Sequence, residues 1–278
     1  MPFKTILSII GVDQGADDIR SAIELCRPGD AHLSVLVVSL AAPPPIGAYG
    51  AALSTGWLEE RERDIAKVEE QAAKVKVLLE PQGISFDVQS LYTEFGWADS
   101  RIGERARYAD LVLIGGRTLA NEYLAARALS GALFESPTPV LATPKGQAAT
   151  LQPRRVIVAW DSRDEAGHAI RAAMQFLNKA ESVHIVMVDP DASPRVHGEE
   201  PGADIATYLA RHGANAIVEV MASGGRAVDE VLRRHASDIG ADMIVMGAYS
   251  HSRLRERIFG GVTRSMLEEA RLPLFLAR

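Results

Sequence analysis

The sequence predicts an α/β protein built from two successive open sandwiches, each a mainly parallel sheet covered by helices. Three observations carry this expectation. First, the chain repeats itself: ADLVLIG at Ala109–Gly115 returns as ADMIVMG at Ala241–Gly247, QGISFDV at Gln82–Val88 matches HGANAIV at His212–Val218, and KTILSI at Lys4–Ile9 resembles RRVIVA at Arg154–Ala159. Second, short runs rich in Val, Ile and Leu alternate with longer amphipathic stretches, the pattern of strand–helix–strand units. Third, the short runs are almost wholly apolar rather than alternating, as in parallel strands buried on both faces.

The elements follow in order. In the second copy, strands are expected at Arg155–Ala159, Val183–Val188, Ala216–Val220, Met243–Met246 and Leu274–Ala277. Helices are expected at Ala166–Leu177, Ala203–Arg211, Ala227–Ser237 and Val262–Ala270. The first copy opens on the strand at Lys4–Ile9, continues with Leu33–Leu40 and closes on Val140–Ala142. Between Leu40 and Gly83 it carries an insertion: a Pro/Gly/Ala loop, AAPPPIGAYGAALSTG, then a charged helix over Trp57–Glu80. The insertion reads either as surface padding or as a flap over the first copy's pocket. The polar segment KGQAATLQP, Lys145–Pro153, separates a first domain, 1–146, from a second, 154–278.

Composition narrows the function classes. The 278 residues are 47% hydrophobic and 24% charged, enough apolar content for two ordinary cores. A net charge of −6 gives no electrostatic reason to expect nucleic acid or an anionic membrane as partner. No apolar run is long enough to cross a bilayer, and MPFKTILSIIGVDQ reads as a first strand rather than a leader. The single cysteine, Cys26, has no internal partner, which suits a reducing compartment, so a cytoplasmic location is expected.

In open parallel sheets ligands lie beyond the carboxyl ends of the strands, where the strand order reverses. The stretch GAYSHSRLRERIFGGVT, Gly247–Thr263, begins at such an end. Gly247 allows a tight exit from the strand, and Gly260 and Gly261 open the last helix, whose first N–H groups can face an anion. Thr263 offers a hydroxyl. Arg253, Arg255 and Arg257 could neutralise phosphate charge, and His251 lies in the same loop. The same glycines could equally serve only to shape the backbone.

With its spacing, this stretch resembles the nucleotide loop of the universal stress protein family, in which a glycine is followed after two residues by a second, after nine more by a third, and then by Ser or Thr. Gly247 fills the first place and Gly260 the third; Ser250 stands at the second and Gly261 at the Ser/Thr position. The resemblance spans both halves of the chain. It implies tandem Rossmann-like sandwiches of the adenine-nucleotide α-hydrolase-like kind, binding ATP, with or without Mg, in the C-terminal copy. By the same resemblance, Asp161, following the strand-end Ala159, would lie near the ribose or a metal. Val188 would lie against adenine, Met246 and Gly247 would border the nucleotide, and Ser250, Gly260, Gly261, Val262 and Thr263 would hold the phosphates. Asp161 is equally readable as a turn residue before the next helix, and Val188 and Met246 as core. The missing hydroxyl at Gly261 removes a hydrogen bond to a charged group, roughly 1.5–3 kcal/mol or tens-fold in affinity.

In the first copy, Gly115-Gly116-Arg117-Thr118 keeps the leading glycine but lacks the paired glycines further on, and Asn121-Glu122 adds an acid, so this loop is expected to be degenerate for ATP. Hydrolytic alternatives fare poorly. Ser223-Gly224-Gly225 stands after a third strand rather than a first, and neither a nucleophile elbow nor a lysine-bearing phosphate loop occurs. His32, His168, His184, His197, His212, His235 and His251 show no metal-ligand spacing. The expected function is therefore stress-linked adenine-nucleotide binding, with slow hydrolysis at most. The alternative is a nucleotide-independent scaffold whose last strands pair domains, as an intrachain pseudo-dimer or a homodimer.

Overall fold

The computed structural model of the chain describes residues 3–14, 16–41, 55–190, 200–248 and 261–278. Contacts divide it into two compact units, Phe3–Thr138 and Pro139–Arg278.

The N-terminal unit runs β1 (Thr5–Gly11), α1 (Asp17–Cys26), β2 (His32–Ala41), α2 (Thr55–Leu79), β3 (Phe86–Glu94), α3 (Ala98–Ala106), β4 (Leu111–Ile114), α4 (Gly116–Leu119) and α5 (Glu122–Phe134). Its strands lie in the order β3-β2-β1-β4, with parallel pairing throughout. The C-terminal unit runs β5 (Val140–Ala142), β6 (Arg155–Ala159), α6 (Asp164–Leu177), β7 (Ser182–Val188), α7 (Ala203–Arg211), β8 (Ala216–Met221), α8 (Val228–Ile239), β9 (Met243–Gly247), α9 (Gly261–Glu268) and β10 (Leu274–Ala277). Its order is β5-β10-β9-β6-β7-β8, parallel except for β5, which runs antiparallel to β10 with Val140 opposite Leu276. Both units are the expected parallel-sheet α/β sandwiches. The contact boundary at Thr138/Pro139 precedes the polar segment 145–153 because β5 hydrogen-bonds to β10 and so belongs with the later unit.

The repeated Ala-Asp pair has the same physical job in each unit. Asp110 Oδ2 accepts the N–H groups of Lys4 and Thr5 at 2.7 and 2.9 Å, at the foot of β1. Asp242 Oδ2 accepts those of Arg154 and Arg155 at 2.8 and 2.9 Å, at the foot of β6. Each aspartate thus docks the strand it introduces, β4 against β1 or β9 against β6. Acidic residues in the first turns of α1 (Asp17, Asp18), α6 (Asp164, Glu165) and α8 (Asp229, Glu230) suit the positive end of the helix dipole. Gly240 ends α8 at φ 61°, a left-handed cap that glycine adopts without strain.

The inner strands are buried as their apolar sequences require, β4 and β10 at every residue. The outer strands β3 and β8 depart from that expectation, being half-exposed along most of their length, because each has a sheet neighbour on one side only. The charged helix α2 is not a free surface helix. It packs on β2 and β3 through Val68, Val75 and Leu79, a buried stripe beneath a solvated face; the loop leading into it, 42–54, lies outside the described residues. Cys26 is buried, which pushes its thiol up to about 12 and leaves it chemically quiet.

In the C-terminal core Phe176 of α6 and Phe275 of β10 meet edge to face, ring centroids 5.2 Å apart, and both are fully buried. Phe176→Ala should lower the unfolding free energy by about 3–5 kcal/mol, the cost of an emptied aromatic site. Urea denaturation checks this, as a drop in midpoint at unchanged slope.

Candidate functional site

In the C-terminal unit the chain builds β6, then β7 and β8 on one side, and crosses back to place β9 on the other. The strand order therefore reverses between β6 and β9, whose ends pair Ala159 with Met246, while Ala159 also pairs with Val186 of β7. Ala159, Asp161, Val188, Met246 and Gly247 thus come to one edge of the sheet, although they span much of the unit's sequence. A crevice at such a switch point is where open α/β sheets bind ligands.

Local chemistry shapes that edge. Asp161 is exposed, its Oδ1 accepting the Arg163 N–H at 3.1 Å, with the Arg163 guanidinium 3.7 Å from Oδ2. It closes the turn that carries Ser162 at φ 62° into α6, so the turn role is real whatever else Asp161 does. Beyond Val188, Asp189 adopts φ 44° and accepts the Ser223 N–H at 3.0 Å. Hydrogen bonds from the Ser223 hydroxyl and amide hold the Asp189 carboxyl below the usual carboxylate range. The Ser223-Gly224-Gly225 turn, with both glycines at positive φ, is thereby tied to the end of β7.

Gly247 has a close approach, and it is to protein. A Cβ there would lie 2.5 Å from Ala166 N and 2.7 Å from Glu165 C, so the first turn of α6 rests directly on the end of β9. Gly261, the first residue of α9, is the opposite: among the described residues nothing stands within 4 Å of a Cβ built there. Val262 is half-buried and Thr263 buried. α9 is held on α8 by a polar network: Ser265 Oγ donates to Asp229 at 2.6 Å, and Arg233 bridges Asp229 and Glu269 at 3.0 Å each. This fixes the helix whose N-terminus opens at Gly261. Ser250, His251, Arg253 and Gly260 fall within 249–260, outside the described residues.

The corresponding edge of the N-terminal unit, between β1 and β4, is filled from within. The Asp18 carboxylate of α1 accepts the Arg117 N–H and the Thr118 N–H, each at 3.0 Å, and the Thr118 hydroxyl lies 3.2 Å away. Asp18 is buried, and a Cβ on Gly115 would fall 2.3 Å from its carboxyl carbon. The donors that an anion would use at the end of β4 already hold a carboxylate. The sequence alone conceals this, since Asp18 lies 97 residues before Gly115 and the loop beyond Gly115 reads as degenerate from its own residues. Asn121 and Glu122 have a separate local role, Asn121 capping α5 through its Oδ1 and the Leu124 N–H at 3.1 Å.

These units define the chain as a Rossmann-like α/β protein with its candidate crevice at a sheet switch point. Residues 153–278 match the model of the universal stress protein family, so the C-terminal unit carries a domain of that family. A universal stress protein of Synechocystis sp. is 27% identical over 183 residues, an alignment covering 61% of this chain and 58% of that protein, so the chain spans less than two thirds of that relative. Among solved structures, a universal stress protein from Archaeoglobus fulgidus has a TM-score of 0.65 at 17% identity, over 98% of this chain and 96% of its own. A putative universal stress protein from Pseudomonas aeruginosa has a TM-score of 0.60 at 16% identity, over 99% and 93%. At those identities the two structures establish the fold.

Asp18→Ala should leave the buried Thr118 amide, and the part-buried Arg117 amide, without the carboxylate partner. A loss of roughly 3 kcal/mol in stability is expected, from the cost of stranded buried donors. Thermal and urea unfolding of the variant measure it, and an unchanged midpoint would contradict the role given to Asp18.

Proposed function

We propose that the chain is a tandem universal stress protein that binds ATP, with Mg, in its C-terminal unit and serves in stress-linked sensing or signalling in the cytoplasm. The observation that carries this reading is the contrast between the two switch points. At β1/β4 a buried carboxylate already occupies the amides beyond the strand; at β6/β9 the strand end at Gly247 meets main chain of α6 instead, and no described atom lies within 4 Å of a Cβ built at Gly261, where α9 begins. Backbone N–H groups at such a helix start favour phosphate. Ala159, Val188 and Met246 would contact the nucleoside, and Gly261, Val262 and Thr263 the phosphates, with Ser250, His251, Arg253 and Gly260 completing the loop.

Binding rather than turnover is favoured by the acids at this edge. Asp161 is engaged in its own turn and Asp189 with Ser223, which leaves neither poised to activate water. Phosphoryl transfer to water needs such an orienting group.

Calorimetric titration of the full chain with Mg-ATP tests the proposal. The wild type should bind one ATP with a dissociation constant below the millimolar range, and hydrolysis should stay under about 1 s⁻¹. Gly261→Val places its side chain where no described atom stands within 4 Å, so it should fold normally yet lose at least about tenfold in affinity by blocking backbone approach. Gly260→Val should act likewise. Gly261→Ser restores a hydroxyl donor and should gain about tenfold or more, an effect that misfolding cannot produce. Absence of binding in the wild type would leave the nucleotide-independent scaffold as the reading.

A further inference from the structure

Away from the switch point, the C-terminal unit gathers a second set of chemically able side chains. His184 is the third residue of β7, Glu219 the fourth of β8, and His235 lies in the second half of α8. The register places His184 opposite Ile217 and Val186 opposite Glu219, so the pleat puts His184 and Glu219 on one face of the sheet, diagonal to each other. α8 covers β7 and lowers His235 onto the same spot. One ligand atom from each residue lies within 4.8 Å of the other two. Glu219 Oε2 stands 3.2 Å from His184 Nδ1 and 2.6 Å from His235 Nε2. The two imidazole side chains are only 12% and 11% exposed, while Glu219, at 28%, keeps access to water.

We propose that His184, Glu219 and His235 form a binding site for a divalent transition metal of the zinc class. The donor set is two imidazoles and one carboxylate, which suits zinc and leaves a fourth position for water. Two ligands on tetrahedral zinc at about 2.0–2.1 Å stand about 3.3 Å apart, so the spacing found for His184 and Glu219 already fits and His235 need withdraw by less than 1 Å. The outer shell is also in place. Ser182 Oγ lies 3.0 Å from His184 Nε2, so when Nδ1 ligates a metal the Nε2–H donates to that hydroxyl and fixes the tautomer. Glu219 Oε2 lies at hydrogen-bond distance from a nitrogen of each ring, which holds the three ligands close together.

The site would clamp α8 to the sheet. His235 ties the second half of that helix to β7 and β8, while Asp229 and Arg233 in its first half hold α9. A metal would thus brace the helix to which α9 is bound. Sequence spacing conceals the set, because the three residues are separated by 35 and 16 positions and no two share an element.

The full chain, stripped with chelator and free of nucleotide, should be titrated with cobalt(II) and then zinc. One equivalent of cobalt should give the intense visible bands of a four-coordinate ion, displaced by one equivalent of zinc with a dissociation constant near or below about 1 µM. Zinc in excess should raise the melting temperature. Glu219→Gln and His235→Gln, which keep size and polarity, should each weaken zinc binding by roughly 100-fold or more. X-ray absorption of the wild-type zinc complex should show two imidazoles, with oxygen completing the shell. A wild type that binds no zinc at 100-fold above about 1 µM, a shell without two imidazoles, or variants that bind as the wild type does would each overturn the site.

Discussion

The candidate site depends on one constraint: after three helical crossovers β9 must land beside β6, as β4 lands beside β1. Asp242 enforces this for β9 and Asp110 for β4, each carboxylate taking two backbone N–H groups at the foot of β6 or β1. Charge-assisted bonds of this kind are short and directional, so they fix register as well as proximity. Once the feet are paired, the parallel ladder carries the alignment upward, and Ala159 meets Met246 at the far end. The meeting of the two strand ends is the geometric consequence of a contact made at the opposite edge of the sheet.

Two units with the same ladder then diverge at that far edge through a few atoms. In the N-terminal unit an acid in the first turn of the first helix reaches the amides beyond β4 and neutralises them. In the C-terminal unit the first turn of α6 approaches β9 through backbone instead, against the bare Gly247, and its own acids, Asp164 and Glu165, start the helix. Gly115 and Gly247 are glycines for the same steric reason, a helix pressed on a strand end, but the helix presents a carboxylate to one and main chain to the other. The two edges therefore differ in chemistry without any change in fold.

The outer side of the C-terminal sheet shows a different economy of burial. β8 leaves much of its apolar surface half-exposed, yet on the face under α8 it sets Glu219 among two imidazoles. Polar groups at this depth require partners, and these three satisfy one another. The Asp229–Arg233–Ser265–Glu269 network continues the polar connections from α8 to α9. α8 and α9 are thus held together by specific polar contacts, and α6 is held to β10 by the Phe176–Phe275 contact.

The architecture was legible in the sequence because its signals are local. Apolar runs of strand length, amphipathic helices between them and a repeated Ala-Asp strand start are properties of short windows, and the observed elements match them to within a few residues. The glycine spacing after Met246 likewise marked the strand end correctly, since only a residue without Cβ allows α6 to sit there. What depended on distant parts of the chain was not legible. Asp18 beneath Gly115, Ser223 against Asp189, β5 joining β10, and His184, Glu219 and His235 on one patch all follow from how crossovers bring separate elements together. Side-chain periodicity dictates which face a residue occupies, but only the assembled sheet decides which residues share that face at bonding distance.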